Sequence, residues 1–155
     1  MQVASAVMEG SVSRAAATAL RSIHQQHRDI HELVHMFLSG SRPAAAGSPD
    51  VALSGAEVVT LFEQIVLRVQ ANFYNEERYL MSVSHPSFHA QRAAHRRLAV
   101  DLNSWREALR RGDAVPRSEL VHSLDGLLIH EAVEDAVFEY GSDGNGDSDD
   151  WFVAQ

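Results

Sequence analysis

The chain contains no cysteine, which excludes disulfide bonds and thiolate metal sites, so any bound metal must use nitrogen and oxygen ligands. Lysine is also absent. The 13 basic residues are all arginine, they face 21 acidic residues, and the formal net charge is -8. This balance argues against general nucleic-acid binding. No apolar run approaches the roughly 20 residues of a membrane-spanning helix. The N-terminus shows no basic segment followed by an apolar run, so we expect no signal peptide and no membrane association.

The length of 155 residues predicts one domain with room for a sizeable core. We expect a flexible leader at residues 1–12, a helical domain at residues 13–140 and an acidic flexible tail at residues 141–155. The tail ends in an aromatic pair, Trp151 and Phe152, and could dock a protein partner. The lack of disulfides is compatible with the cytoplasm, which is the location we expect.

Turn signals divide the helical domain into four amphipathic stretches. Ser54 and Glu57 fit a capping box at the start of the second stretch, Pro86 marks the next turn, and Gly112 and Pro116 mark the last one. The predicted helices cover about residues 13–38, 54–82, 86–111 and 116–140. Short connections between long helices predict an all-α fold, an up-down-up-down antiparallel four-helix bundle.

Each predicted helix carries a seam of apolar residues, and polar residues that can bind a metal interrupt every seam. The interrupting residues, in chain order, are His27, Glu76, Gln91, His95, His130 and Asp135. The seam of the fourth helix is less regular than the others. A buried carboxylate or imidazole costs on the order of several kcal/mol unless it is paired or ligates a metal. Three imidazoles and two carboxylates converging on one core therefore indicate a metal centre.

Spacing within the helices supports shared ligation for some of these residues. Ligands on one helix share a face when they are three or four positions apart. Two pairs have a spacing of four: Asn72 with Glu76, and Gln91 with His95. His130 and Asp135 are five apart, roughly 140° around a helix, so both can reach one centre only by flanking it.

With these residues identified, the chain resembles the bacterial hemerythrin family over roughly residues 20–140. Residues 23–27 resemble the opening Ile-Asp-x-Gln-His motif of the family, and residues 73–81 resemble its Phe-x-x-Glu-Glu-x-x-Leu-Met run. His95 matches the second histidine of a His-x-x-x-His motif. His130 and Asp135 match the final ligand pair. Together these matches are specific, although each alone is weak.

The resemblance implies a four-helix bundle with a carboxylate-bridged di-iron centre that binds O₂ reversibly. The ligands it implies are His27, Glu76, His95, His130 and Asp135, with the two carboxylates as bridges. The chain lacks two of the family's histidines, because Asn72 and Gln91 stand in their places. One metal position would keep His95 and His130, and the other would keep His27 alone.

Several alternatives stay open at this point. His31, one turn after His27, either replaces a missing ligand or is a partly exposed neighbour of the seam. Asn72 and Gln91 mark either decay of the site or retuning toward another metal, fewer metals or a labile site. Without metal, His27, His95 and His130 would be hydrogen-bonded core histidines.

The sequence leads to the hypothesis of a non-enzymatic, non-haem iron protein that binds or senses O₂, with nitric oxide as a second candidate ligand. The alternative is a metal-depleted or mononuclear hemerythrin-like module that regulates a partner through its surface. An oxidase-type enzyme ranks third, because nothing in the sequence positions an acid or base for a substrate.

Overall fold

Helices make up nearly all of the structure, a computed structural model that describes residues 3–42, 46, 49 and 51–142. The helices are α1 Val3–Ser39, α2 Gly55–Ser82, α3 Phe88–Arg111 and α4 Arg117–Ser142. Two short strands, β1 Ser41–Arg42 and β2 Val51–Ala52, pair antiparallel with Ser41 opposite Ala52. The prediction of an all-α chain is confirmed. The small ladder, which no sequence signal predicted, lies at the two ends of the α1–α2 connection.

The predicted capping signals form the helix ends of α2 and α3. At the start of α2, Oγ of Ser54 accepts from the backbone N–H of Glu57 at 3.3 Å, and the Glu57 carboxylate accepts from the Ser54 backbone N–H at 2.8 Å. At the end of α3, Gly112 adopts a left-handed conformation with φ 73. A left-handed residue closes a helix at low cost only when it lacks a Cβ, which explains glycine here.

Both terminal helices extend beyond the predicted boundaries, and α4 runs to Ser142, two residues into the predicted tail. Helix α1 begins at Val3, so residues 3–12, assigned to the leader, continue the helix. Residues 3–12 contain no proline and include alanine, methionine and glutamate, which favour helix. Residues 1 and 2, and the tail from residue 143 onward, lie outside the described residues.

The helices pack in a closed cycle. Helix α1 packs against α2 and α4, and α3 packs against the same two helices. This arrangement fits a helix bundle, in which each helix buries one stripe against its neighbours. In the described part of the chain, no helix combines the length and the apolar composition needed to cross a bilayer.

A polar layer separates two apolar clusters in the core. The larger cluster includes Ile30, Phe73 and Leu127, and the smaller cluster consists of Ile23, Leu80 and Phe138 with their partly buried neighbours. The buried polar residues are His27, Asn72, Glu76, His95, Glu131 and Glu134. Along the chain, Asn72 lies within the larger cluster, one turn before Glu76. Between a member of one cluster and a member of the other fall His27 on α1, Glu76 on α2, and Glu131 and Glu134 on α4. The bundle therefore places its polar groups at one level, with apolar side chains on both sides.

The larger cluster should carry most of the stability of the fold. Phe62 is fully buried and packs against Phe37 with ring centroids 5.2 Å apart. We expect Phe62→Ala to lower the free energy of unfolding by about 3–5 kcal/mol, because it removes a core ring and leaves a cavity. Denaturant titration measures this loss.

The matched control lies on the same helix. Leu67 is 60% exposed, and we expect Leu67→Ala to change the free energy of unfolding by less than about 0.5 kcal/mol. Equal losses in the two variants would mean that α2 buries a different face.

Candidate metal centre

Four helices each place one predicted ligand in the polar layer. Helices α1, α3 and α4 contribute His27, His95 and His130, and α2 contributes Glu76. His130 is partly buried, and the other three are buried. His27, Glu76 and His95 each occupy an interruption of the apolar seam of their own helix, so burial of the seam brings the polar group into the core with it.

Both ring nitrogens of His27 donate hydrogen bonds to carboxylates. Its Nε2 donates to Oε1 of Glu76 at 2.5 Å, and its Nδ1 donates to Oδ1 of Asp135 at 2.7 Å. The same Glu76 oxygen accepts from Nδ2 of Asn72. One nitrogen thus faces the core, and the other is bonded to a carboxylate at the edge. Outer carboxylates orient the imidazoles of metal sites in the same manner.

His95 repeats this arrangement on the opposite side of Glu76. Its Nε2 donates to Oε1 of Glu134 at 2.9 Å and lies 3.1 Å from Oε2 of Glu76. Its Nδ1 donates to Oε1 of Glu77 at 3.1 Å. Phe73 stacks on the imidazole with ring centroids 4.0 Å apart and an interplanar angle of 5°. The stacking and the two hydrogen bonds together fix the orientation of the His95 ring.

Two groups of ligand atoms lie close enough together to hold a metal ion. One group is His95, His130 and Glu134, and the other is His27, Glu76 and Glu134; the ligand atoms of each lie within 4.8 Å of one another. We call these groups the His95 position and the His27 position. Glu134 belongs to both. The two oxygens of Glu76 face His27 and His95, so both carboxylates lie between the positions.

The predicted ligands do not all lie at the centre. The structure brings together His27, Glu76, His95 and His130. Asp135 instead lies at the edge of the layer, with a side chain 41% exposed, where it bonds the outer nitrogen of His27. Glu134 occupies the shared place that the resemblance gave to Asp135. Direct ligation by Asp135 stays a prediction.

The three additional candidates occupy different surroundings. Asn72 is buried and donates to Glu76. His31 is 49% exposed, and its Nε2 lies 3.4 Å from Oε2 of Glu131. Gln91 is partly buried on α3, one helical turn before His95.

Sequence reasoning missed Glu131 and Glu134, both fully buried on α4. Their signal is a seam with alternating spacings of four and three, formed by Leu120, Leu124, Leu127, Glu131, Glu134 and Phe138. When only apolar residues are counted, the spacing on α4 is irregular. When the carboxylates Glu131 and Glu134 are counted as well, the spacing is continuous. The four-residue spacing of His130 and Glu134 is a second signal, because it places both side chains on one face.

Several buried ligand atoms of the layer have no hydrogen-bond partner among the described side chains. They are Oδ1 of Asn72, Oε2 of Glu76, Nε2 of His130, Oε2 of Glu134 and both oxygens of Glu131. Buried polar atoms are normally satisfied, and an unpaired buried charge is costly. Carboxylate and imidazole atoms left free at one level of a core fit the needs of a cation.

Burial and mutual contacts shift the pKa values of the imidazoles and carboxylates in the layer. Burial disfavours the charge of His27 and His95, but bonds to Glu76 and Glu134 outweigh it and raise the pKa of His27 to about 9 and that of His95 to about 10. Burial raises the pKa of Glu131 to about 8. For Glu134, burial acts in the same direction, but the neighbouring imidazoles of His130 and His95 prevail and lower its pKa.

A surface groove gives solvent access to the outer side of His27. The groove has a volume of about 520 Å³ and is lined by His24, His27, Arg28, His31, Glu32 and Asp135. Within it, Nε2 of His24 lies 3.5 Å from Oδ1 of Asp135. The groove therefore lies between α1 and α4 at the edge of the layer.

Comparison of the chain with protein-family models, with curated proteins and with solved structures finds no match. The assignment of a metal centre therefore depends on the residues of this chain and on their geometry.

The shifted pKa values predict how pH changes the stability of the metal-free protein. His27 and His95 bind protons more tightly when folded than at their ordinary value of 6.5, so their stabilisation is lost as pH rises through about 9 and 10. The raised pKa of Glu131 acts in the same direction between 4.5 and about 8. We expect the Tm of the chelated protein to fall by at least about 5 °C between about pH 6 and pH 9.

Thermal unfolding followed by circular dichroism measures this dependence. The variant His89→Gln removes an exposed imidazole outside the layer, and it should keep the same slope. A Tm that is level or rises across this range would show that the buried imidazoles are not held as cations.

Proposed function

We propose that this chain is a hemerythrin-like, non-haem iron protein that binds or senses O₂ at a carboxylate-bridged metal site, with nitric oxide as a second candidate ligand. The observation that carries the proposal is the position of two carboxylates, Glu76 and Glu134, between two groups of ligand atoms in one buried layer. Bridging carboxylates in a helix-bundle core are the usual means of holding two metal ions close together.

The donor set fits iron. The layer offers imidazole nitrogens and carboxylate oxygens, and the chain has no thiolate that would favour zinc or an iron–sulfur cluster. The inward nitrogens of His27 and His95 point at the shared carboxylates, while Asp135 and Glu77 bond their outward nitrogens. When bound, iron would supply the affinity for diatomic ligands that the side chains lack.

The chain itself prepares the site in two ways. Phe73, stacked on His95, and the apolar clusters on both sides of the layer limit the access of water. The groove beside His27 leaves one side open to a small ligand. Such a pocket suits binding better than catalysis, and we assign no enzymatic role.

The layered core also supports the antiparallel topology that belongs to this proposal. Along α1 the polar residue His27 follows the smaller cluster and precedes the larger one, whereas along α2 and α4 the order is reversed. Alternating order is what up-down-up-down helices would give.

The balance of ligands favours sensing over carriage. Two imidazoles of the resembled family are replaced by amides, and the layer holds three buried glutamates. Anionic oxygen donors stabilise a more highly charged metal ion by Coulombic attraction. Iron in this site would therefore oxidise more readily than in a reversible carrier.

We place this sensor in the cytoplasm.

One observation favours a metal-depleted module as the second candidate. Hydrogen bonds to carboxylates engage both nitrogens of His27 and of His95 without any ion. A layer paired in this way compensates much of its charge by itself, so the bundle could act through its surface alone.

The decisive experiment is metal analysis of the full chain expressed in iron-replete medium, combined with an optical spectrum under air. We expect iron as the main metal and oxygen-dependent charge-transfer bands that disappear on anaerobic reduction. Protein that folds with the same Tm before and after chelation, and takes up no Fe²⁺, would support the metal-depleted module and overturn the proposal.

Separate substitutions of two neighbouring carboxylates on α4, Glu134 and Asp135, distinguish their roles. Glu134 belongs to both metal positions, so Glu134→Gln should weaken both steps of Fe²⁺ binding by at least about 100-fold. Asp135 bonds the outer nitrogen of His27, so Asp135→Asn should weaken the His27 position by about 10–100-fold, as for other outer carboxylates, and spare the His95 position.

Anaerobic calorimetric titration with Fe²⁺ measures both constants, and circular dichroism verifies that each variant is folded. The reverse pattern, with Asp135→Asn weakening both steps and Glu134→Gln weakening neither, would restore Asp135 as the bridge.

A further inference from the structure

We propose that Glu131 is an additional metal ligand at the His27 position, where it takes the place of the imidazole that the chain lacks at residue 72. This inference rests on the proposed metal site and adds to it a ligand that the resemblance does not supply. The His27 position otherwise has three protein ligands, His27, Glu76 and Glu134.

The burial of Glu131 is the first reason. Its side chain is fully buried, and neither of its oxygens has a hydrogen-bond partner among the described residues. Glu76 and Glu134 are buried to the same degree, but each has one bonded oxygen. Glu131 is thus the least satisfied of the three carboxylates. An unsatisfied carboxylate in a core is destabilising unless something binds it.

The position of Glu131 is the second reason. It lies three residues before Glu134 on the buried seam of α4, so both point into the same layer. Its charged neighbours include His27, which attracts its charge, and Glu76, Glu134 and Asp135, which repel it. A divalent cation at this place would be attracted by several carboxylates at once.

The side chain at residue 72 is the third reason. Nδ2 of Asn72 donates to Oε1 of Glu76, so the amide serves this carboxylate as a hydrogen-bond donor. A neutral amide oxygen is also a weaker ligand for iron than imidazole or carboxylate. A carboxylate from α4 is therefore a better substitute for the missing histidine ligand than the amide of Asn72 on α2.

His31 acts as a positioning residue for this ligand. Its Nε2 lies 3.4 Å from Oε2 of Glu131, in the groove beside His27. The imidazole is half exposed, so it approaches Oε2 from the solvent side, and Oε1 has no hydrogen-bond partner among the described residues. An ion that enters through the groove would pass His31.

The test compares anaerobic Fe²⁺ titrations of the wild-type chain and of Glu131→Gln, which keeps the shape and removes the charge. We expect one of the two binding steps to weaken by at least about 100-fold, since loss of an outer partner alone costs about 10–100-fold. The Tm of the metal-free variant should equal or exceed that of the wild type, because the change removes an unsatisfied buried carboxylate. The control Asp125→Asn, at an exposed site on the same helix, should leave both steps unchanged.

Two further variants complete the test: one examines the substitution for residue 72, and the other keeps Glu131 and serves if Glu131→Gln fails to fold. Adding Asn72→His to Glu131→Gln should recover most of the lost affinity, because the imidazole returns to the same position. His31→Gln, at a half-exposed site, should weaken the same step by about 10-fold and leave the other intact.

The outcomes separate this inference from the proposed function. If wild-type protein binds no Fe²⁺, the proposed function fails. If wild-type protein binds Fe²⁺ but Glu131→Gln and His31→Gln bind it equally well, Glu131 is a neutral core residue and only this inference is overturned. Loss of both binding steps together, or no recovery with Asn72→His, would also contradict the assignment to the His27 position.

Discussion

The pairing of imidazoles with carboxylates inside the bundle is the constraint on which the rest of the structure depends. His27 with Glu76, and His95 with Glu134, join α1 to α2 and α3 to α4 at one level of the core. Each partner alone would be an uncompensated buried charge, and removal of one member of such a pair is strongly destabilising. The helices can therefore pack only in a register that brings these groups together, and the apolar clusters on both sides exclude the water that would otherwise solvate them.

The same pairing explains how the layer could exist both with and without a metal ion. In the metal-free arrangement, protons on the inward nitrogens supply the positive charge that the carboxylates need. A divalent ion would displace these protons and take over their role, so binding would release protons and strengthen as pH rises. Asp135 and Glu77 bond the outward nitrogens in either state and keep the rings in place. The hydrogen-bonded network thus prepares the geometry of a metal site.

The outer surface of the layer differs between its two sides. Around His95, Phe73 and the ring of His130, whose centroid lies 5.1 Å away, form a tightly packed wall. Around His27, the groove with His24 and His31 reaches solvent. The groove therefore adjoins the His27 position, whereas aromatic rings pack against the His95 position. In the proposed sensor, the His27 position would be the one to exchange ligands and ions, and the His95 position would be the more permanent one.

Much of the fold was predictable because it follows from local patterns. The ends of α2 and α3 follow from the capping box at Ser54 and from Gly112, and the buried faces follow from the spacing of apolar residues. Those patterns placed His27, Glu76 and His95 in the core correctly, since each lies on a seam that its own helix defines. They failed on α4, where two consecutive seam positions are carboxylates and the pattern of apolar residues is broken.

The sequence by itself determined the four helices, the faces that they bury and the presence of polar groups on those faces, because helical periodicity fixes which residues share a stripe. Only the tertiary structure decided which carboxylates meet which imidazoles. Glu134 and Asp135 are neighbours in the chain, yet about 100° of helical rotation separates them, so one lies between the metal positions and the other at the edge. That choice depends on the rotation of α4 against α1 and α3, which is set by the packing of all four helices together and by no single stretch of sequence.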